Sequence, residues 1–306
     1  MFLTFIFGPW SSAYLAGNSL DWFALLLCAG LSSTITFRGG LMNLGLDSQI
    51  YCGGLAATVV LLSLPADNTI SAAALFLAAG AAMLCGFIMG AVCGFLKKKR
   101  QSSEIITTFL LGAALIPVAD YIINAKLREE SENLLTSRLI PSNFRLPHIL
   151  EPSNLSISFI IVIFLTLLTY IFLNKTKDGY RFRMAGDSPA FARYGGIECE
   201  NYYAPVLGAG GAIGGLCGFF AVSGTYGRCW ESFTGGIGWA AIAVALLAKK
   251  NPIALVAAAL FYAQIKLGSD AVLLNSGMAF ETSSLVQGAI LLLAALSFRA
   301  APKKLR

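Results

Sequence analysis

Charged residues are scarce in this sequence. Only 12% of its 306 residues are Asp, Glu, Lys or Arg, and 57% are hydrophobic, whereas an ordinary soluble domain carries about 25% charged residues. A chain with so little charge cannot cover a soluble domain with a polar surface. The net charge of +6 comes from short basic clusters between apolar runs, which is not the pattern of a nucleic-acid-binding face. The composition predicts a protein with several membrane-spanning helices.

The residues that carry most enzyme chemistry are also rare. His148 is the sole histidine, and the seven cysteines form no CxxC pair, so the sequence predicts neither a metal site nor a disulfide framework. No GxSxG, HExxH or GxxxxGK[ST] motif occurs. An intramembrane enzyme is therefore poorly supported. The chain also lacks a loop of its own for ATP phosphates, and we expect no cofactor within it.

Apolar segments long enough to cross or enter a membrane recur along the whole chain. We expect an all-α, polytopic transmembrane helix bundle of about nine spans, within a range of eight to ten, with some helices broken. It would form a single transmembrane domain over residues 1–306. The predicted spans are Leu20–Phe37, Gln49–Leu64, Ile70–Leu96, Ser103–Ile123, Leu155–Leu173, Pro205–Ser223, Gly236–Ala248, Pro252–Leu267 and Leu285–Phe298.

Basic clusters between these segments predict the orientation. They lie at Lys97–Arg100, Lys175–Arg183, Lys249–Lys250 and Arg299–Arg306, and they fall on one side if each segment crosses once. Cytoplasmic loops of membrane proteins are rich in Lys and Arg, so this side is predicted to be cytoplasmic. The N-terminal stretch MFLTFIFGPW is predicted to be a short inserted or interfacial stub, and whether residues 1–15 form a span stays open.

Glycines recur four residues apart in two of the apolar segments. One row is Gly86, Gly90 and Gly94, and the other is Gly210, Gly214 and Gly218, with Gly211 and Gly215 beside it. Small residues at this spacing let two helix backbones approach closely in lipid. Both rows are predicted to be packing seams.

The stretch MAGDSPAFARYGG lies within a polar loop at residues 174–203. Asp187 and Ser188 are good N-cap residues, Pro189 suits the first helical position, and Gly195–Gly196 suit a helix stop. The predicted helix is shorter than two turns and is unstable alone. It either rests on lipid headgroups, or it docks into a soluble partner.

Two further stretches predict irregular backbone within the membrane. RGGLMNLGLDSQ, residues 38–49, joins two apolar runs and carries glycines and polar residues, which are typical of a broken helix that lines a cavity. A cytoplasmic turn with Asp47 or Ser48 as helix N-cap is the alternative. GGIGWAAIAVALLAKKNP, residues 235–252, predicts a short span that ends at Asn251–Pro252 as a half-helix or a tight re-entry.

These stretches together resemble the bacterial ABC importer permeases of the branched-chain amino acid, ribose and nucleoside type. KTKDGYRFRMAGDSPAFARYGGI resembles the cytoplasmic coupling loop of that family, and residues 38–49 resemble its GLFNIGxEGQ signature, with Asp47 in place of Glu and Ser48 in place of Gly. Residues 235–263 resemble GxGxxxIAVALLGxxxPxG, and ETSSLVQGAILLLAA resembles the C-terminal span. The resemblance implies a multi-pass permease of the bacterial inner membrane that alternates its access.

The same resemblance implies the partners. They are an ABC ATPase that holds the ATP and Mg, a second permease subunit, with a heterodimer favoured over a homodimer, an extracytoplasmic solute-binding lipoprotein, and the surrounding lipid. A change of Ala192 to Arg is expected to abolish transport by overfilling the docking groove on the ATPase. The residues implied in ATPase coupling are Gly186, Asp187, Ser188, Pro189, Ala192, Arg193 and Gly196.

The resemblance is nearest to nucleoside permeases, with sugar or riboflavin as alternative solutes. An aromatic face and a few polar groups would suit a ring-bearing solute. The predicted path residues, each of which could instead be a packing residue, are Phe37, Asn43, Asp47, Gln49, Thr107 and Trp239, with Trp230 and Gln264 as further candidates.

An ion-driven secondary transporter is a second hypothesis. It requires charged groups inside the membrane. The candidates Asp47, Glu104, Lys266, Asp270 and Glu281 all lie near predicted span ends, and Glu104 is also placed to pair with the nearby basic cluster. The hypothesis is therefore weaker than the importer.

Overall fold

A computed structural model describes residues 2–65, 71–129, 135–276 and 288–289. The predicted span Leu285–Phe298, apart from residues 288–289, the basic cluster Arg299–Arg306 and the candidate Glu281 lie outside the described residues. The helices are α1 (Phe2–Phe7), α2 (Ala13–Arg38), α3 (Leu46–Ser63), α4 (Ser71–Arg100), α5 (Glu104–Ile122), α6 (Ser158–Lys175), α7 (Lys177–Asp187), α8 (Pro189–Tyr194), α9 (Tyr203–Phe220), α10 (Ile237–Leu247) and α11 (Pro252–Ser276).

The prediction of an all-α bundle of membrane helices is confirmed, but the count differs. In the described part of the chain, seven helices are long and apolar enough to cross a membrane. The predicted span Gly236–Ala248 is the short helix α10, whose 11 residues cover only about half of the hydrocarbon thickness. At six residues α1 is also too short to cross, and Gln264 on α11 donates hydrogen bonds to the carbonyl groups of Phe5 and Ile6.

Side-chain contacts bring the described basic clusters to one end of the bundle. Nε of Arg38, at the end of α2, donates to the carbonyl oxygen of Lys250 at 2.6 Å. The backbone beside Arg38 touches Gly186 of α7, and Nζ of Lys98, at the end of α4, donates to Asn201 just before α9. The predicted shared side is confirmed for the three clusters within the described residues. By the positive-inside rule this end is cytoplasmic.

Helices α2 and α9 form the centre of the bundle. Their most apolar stretches are 89% and 83% buried, whereas that of α5 is 17% buried, so α5 lies at the periphery. Glycine sets the distance between α4 and α9, because a Cβ atom on Gly86 would lie 2.0 Å from the carbonyl oxygen of Gly211. The predicted seams are confirmed. The row of Gly210, Gly214 and Gly218 lies on another side of α9 and faces α2 and α3. A Cβ atom on Gly214 would meet the Leu46 side chain of α3.

Candidate functional site

Two unwound segments enter the membrane from opposite ends. Residues 39–45 connect α2 with α3, and residues 227–236 connect the outer end of α9 with α10. The first segment begins against Val206 near the cytoplasmic start of α9, and α3 then begins against Gly214, two turns further along α9. The second segment brings Phe233 against Gly54 of α3. Both α3 and α10 therefore begin inside the membrane, as the broken-helix hypothesis predicts.

The depth of this junction follows from the helices that surround it. Ser48 faces Gly112, which lies about 12 Å along α5 from Glu104 at roughly 1.5 Å per residue. Gly238, beside Asp47, lies about 14 Å from the cytoplasmic end of α10 at Leu247 by the same rise. The hydrocarbon core is roughly 30 Å thick. The junction therefore lies inside the membrane, and Asp47, as the second residue of α3, lies near the end of that helix as predicted.

Asp47 joins the first turns of α3 and α10. Its Oδ1 accepts a hydrogen bond from the backbone N–H of Gly238 at 3.0 Å, and its Oδ2 accepts one from the Thr234 hydroxyl at 2.9 Å. Asp47 itself lies in the first turn of α3. Helix N-termini carry unpaired N–H groups and partial positive charge. One partly exposed carboxylate thus compensates two helix ends at a depth where water is scarce.

Asn43 and Gln49 hold the unwound segment together from inside. Asn43 donates to Oε1 of Gln49 at 2.7 Å and accepts from the backbone N–H of Gly45 at 3.1 Å, and both side chains are 2% exposed. The Thr108 hydroxyl accepts from the backbone N–H of Leu44 at 3.1 Å. These contacts satisfy backbone groups that no helix pairs.

The expectation that Asp47 or Ser48 caps α3, which belonged to the alternative interpretation of residues 38–49, is wrong. The N-cap of α3 is Gly45, and no side chain caps the helix. The Ser48 hydroxyl instead donates back to the carbonyl oxygen of Gly45 at 2.7 Å. Asp47 is engaged with α10, which no pattern local to residues 38–49 indicates.

Trp239 is the predicted path residue with the largest exposed side chain. It follows Gly238 at the start of α10, is 49% exposed, and packs edge-on against Phe109 of α5, which is 47% exposed, at a ring-centroid distance of 6.4 Å. Tryptophan is enriched at membrane boundaries and not at mid-depth, where its indole N–H lacks partners. The exposed pair of Phe109 and Trp239, beside the Asp47 carboxylate, therefore makes this surface of the bundle a candidate binding site. Phe109 and Thr234 are not predictable from the sequence, because their contacts with Trp239 and Asp47 join residues distant along the chain.

The other predicted path residues are less accessible. Phe37 is buried, as are Asn43 and Gln49. The Thr107 hydroxyl is partly exposed and donates to the carbonyl oxygens of Ser103 and Glu104. Gln264 accepts a hydrogen bond from the indole of Trp10 at 2.7 Å. In this conformation Asp47 and Trp239 are the predicted residues that lie together on an accessible face.

The cytoplasmic loop contains the expected short helix and one more. α8 runs from Pro189 to Tyr194, with Ser188 as N-cap and Gly196 in the left-handed conformation at φ 76°. Asp187 is not its cap but the last residue of α7, a helix in a stretch that the sequence predicts to be a loop. The Thr176 hydroxyl caps α7 by accepting from the N–H of Gly179 at 3.0 Å, a signal that was present in the sequence.

The two sides of α8 have different environments. Ala192 is 1% exposed and packs inside the loop with Ala185 and Cys199. Phe191 and Tyr194 are 61% and 93% exposed. Ala192 therefore supports α8 from within, and the reason given for the effect of Ala192→Arg needs correction. The Arg side chain would disrupt the loop itself before it could overfill a groove on a partner.

Of the remaining charged candidates, the three within the described residues, Glu104, Lys266 and Asp270, are paired within the chain. Nζ of Lys97 lies 2.6 Å from Oε2 of Glu104, and Nζ of Lys266 lies 3.1 Å from Oδ2 of Asp270. The interpretation of Glu104 as a partner of the nearby basic cluster is confirmed. His148 is exposed in the external loop, where its Nε2 lies 3.1 Å from the carbonyl oxygen of Gly224.

A helical bundle in which α3 and α10 begin inside the membrane beside unwound backbone is typical of membrane transport proteins. The chain belongs to the family described as "Branched-chain amino acid transport system / permease component", whose family model matches residues 15–295. It is accordingly an ABC transporter permease subunit, and it spans the membrane several times.

Relatives with named solutes cover most of the chain. A probable riboflavin import permease of Treponema pallidum is 32% identical over 88% of this chain and 71% of its own length. A guanosine ABC transporter permease of Bacillus subtilis is 28% identical over 95% of this chain and 84% of its own length. A glucose ABC transporter permease of Haloferax volcanii is 28% identical over 87% and 72%, respectively. No solved structure matches the chain at a significant level.

Proposed function

We propose that this chain forms part of an importer of the bacterial inner membrane that carries a nucleoside-like solute inward by alternating access. ATP hydrolysis would occur on a separate ABC ATPase, which binds ATP and Mg, so this chain itself would be non-catalytic. The names of the relatives support this solute class, since guanosine and riboflavin permeases are among them. A sugar is the second candidate, which the glucose permease relative favours.

The exposed pair of Phe109 and Trp239 beside Asp47 is the main structural support for a nucleoside-like solute. Two aromatic rings inside the membrane offer faces on which a heterocyclic base can stack. Asp47 and Thr234 lie beside the pair and offer a carboxylate and a hydroxyl for polar edges. In an open path the solute would compete for these groups. A second permease, favoured as a different chain, would face this surface and complete the path between the two subunits.

The cytoplasmic loop at residues 174–203 supports the coupling part of the proposal. Phe191 and Tyr194 present apolar surface at the cytoplasmic end, away from the core contact of Ala192. A short helix with exposed aromatic residues suits a hydrophobic groove on a soluble partner. The residues implied in coupling then divide into those that shape the loop and those that face outward. Gly186, Ser188, Pro189, Ala192 and Gly196 shape it, while Asp187 and Arg193 lie on its surface.

Arg193 also ties α8 to the segment that follows. Its Nη2 lies 3.2 Å from Oε1 of Glu200, and both side chains are largely exposed. Exposed ion pairs stabilise weakly, so this contact would exchange readily when a partner docks. Movement of α8 would then reach the bundle, which we propose tilts about its glycine seams while a lipoprotein delivers the solute from outside.

Uptake by the reconstituted transporter tests the solute class. With the cognate ATPase and binding protein present, uptake of radiolabelled guanosine should exceed that of glucose, and Trp239→Ala should lower it by roughly fivefold, because stacking contributes about 1 kcal/mol. Trp239→Phe should retain most uptake. Trp10→Ala is the matched control, since Trp10 is 47% exposed but lies on the N-terminal stub. Glucose uptake that exceeds guanosine uptake would favour the sugar alternative.

Copurification of the ATPase tests the docking helix separately. Tyr194→Ala should reduce the amount of ATPase recovered with the chain from mild detergent, because it removes the most exposed ring on α8. Tyr121→Ala is the matched control, since Tyr121 is 69% exposed at the outer end of α5. Equal recovery from both variants would place the docking surface elsewhere.

A further inference from the structure

A cavity of about 970 Å³ lies between α6 and α9 at the cytoplasmic end of the bundle. Leu168 and Phe172 of α6 form one wall, Pro205 and Ala209 of α9 form the other, and Ile35 of α2 also lines it. Leu168 and Phe172 are 45% and 43% exposed. The apolar part of the cavity therefore opens beside an exposed apolar surface of α6, and it reaches about 10 Å from the end of α6 at Lys175.

Basic residues surround the cytoplasmic side of this cavity. Arg181 lines it and also lines an adjoining hollow of about 520 Å³. The hollow is further lined by Lys175, Lys177 and Arg183, with no acidic residue among its lining residues. Two acidic residues, Asp178 and Glu198, line the larger cavity. The Asp178–Arg181 pair is exposed and 3.4 Å long, so it binds Arg181 only weakly.

One donor in this region lacks an acceptor. Within the described residues, Nε of Arg183 is buried and has no hydrogen-bond partner. A buried guanidinium N–H without an acceptor is costly. A small change of the Arg183 rotamer would let a phosphate oxygen in the basic hollow satisfy it with a charge-assisted hydrogen bond.

We propose that the cavity and the basic hollow together bind one anionic phospholipid of the cytoplasmic leaflet. The phosphate would lie among Lys175, Lys177, Arg181 and Arg183, and an acyl chain would lie between α6 and α9. Charge, polarity and depth agree with this occupant, because the basic groups lie at the membrane end and the apolar walls extend into the leaflet. The proposal does not depend on which solute is transported.

Native mass spectrometry of the purified chain tests the proposal directly. The protein is exposed to an equimolar mixture of phosphatidylglycerol and phosphatidylcholine in detergent, and the bound lipid is counted. Phosphatidylglycerol should be retained preferentially. The double variant Lys177→Gln and Arg181→Gln should lower that preference by about tenfold, since each basic residue contributes to the attraction of anionic lipid.

The matched control is the double variant Lys99→Gln and Arg100→Gln. It removes the same charge at the cytoplasmic end of α4 and should keep the preference. Equal loss in both double variants would overturn the proposal, because the effect would then be one of overall charge. Equal retention of the two lipids by the unchanged protein would overturn it as well.

A variant in the apolar wall separates lipid binding from anion binding. Ala209→Phe would fill the space between α6 and α9 and should release the lipid although all basic residues remain. Ile160→Phe, at an exposed position on α6, is its control, and the thermal unfolding midpoint checks that both variants fold. Retention of lipid by Ala209→Phe would overturn the proposal that an acyl chain lies between α6 and α9. Displacement of the lipid by glycerol phosphate would show an anion site alone, and its displacement by bound ATPase would show a protein as the occupant.

Discussion

At the scale of single residues, Asp47 combines two tasks that usually fall to separate groups. It accepts hydrogen bonds from the α10 backbone and from Thr234 while it lies in the first turn of α3. Asp47→Asn would remove the charge that the two helix ends favour. Because a hydrogen bond to a charged group contributes about 1.5–3 kcal/mol, we expect this variant to lower the free energy of unfolding by that amount. Chemical unfolding of the purified protein measures it.

Two variants define what the carboxylate itself contributes. Asp47→Glu keeps the charge with one more methylene and should recover most of the lost stability. Thr234→Val leaves the charge in place and removes one of its two hydrogen bonds, so it should cost no more than Asp47→Asn. If Asp47→Asn unfolds like the unchanged protein, the charge has no part in holding α3 and α10 together.

At the scale of elements, the contact between α4 and α9 depends on the absence of side chains. Gly86→Ala would place a Cβ atom 2.0 Å from the Gly211 carbonyl oxygen, so the helices would have to separate. We expect a loss of about 1–3 kcal/mol, as for other overpacked cores. Gly80→Ala on the same helix has open space around its new Cβ and should be neutral or gain up to about 1 kcal/mol from helix propensity. Gly86→Ala should therefore have a lower unfolding midpoint than Gly80→Ala. A lower midpoint for Gly80→Ala would contradict the close packing of α4 and α9 at Gly86.

The helices were largely predictable from the sequence, and their partners were not. Pro189 and Gly195–Gly196 predicted the bounds of α8, because the signals that start and stop a helix are local. The half-helix α10 was also indicated, by its length and by Asn251–Pro252. The contact of Asp47 with α10 was not predictable, because it joins residues distant in the sequence. α7 was missed because its polar, basic sequence has no apolar period long enough to stand out.

At the scale of the whole molecule, the cytoplasmic loop and the membrane junction share a short connection. Gly186 of α7 lies directly against the backbone of Gly39 and Gly40, and Gly40 adopts a left-handed φ of 73°. The unwound residues 39–45 lead from this contact to Asp47. A displacement of α7 and α8 by a docked ATPase would therefore reach the membrane interior through one tightly packed backbone contact, and it would not require a long chain of side chains.

A single methyl group at this contact tests whether it transmits motion. Gly186→Ala would place its Cβ atom 2.4 Å from the carbonyl carbon of Gly39 and force α7 away from the unwound segment. We expect copurified ATPase to stay near the unchanged level, because Tyr194 remains exposed, while solute uptake falls by about tenfold or more. Gly195→Ala is the matched control in the same loop, since its Cβ would make only an ordinary contact, 3.4 Å from the Ala192 carbonyl oxygen. Full uptake by Gly186→Ala would mean that the ATPase moves the bundle by another route. Loss of both uptake and ATPase recovery would instead show that the contact serves to fold the loop.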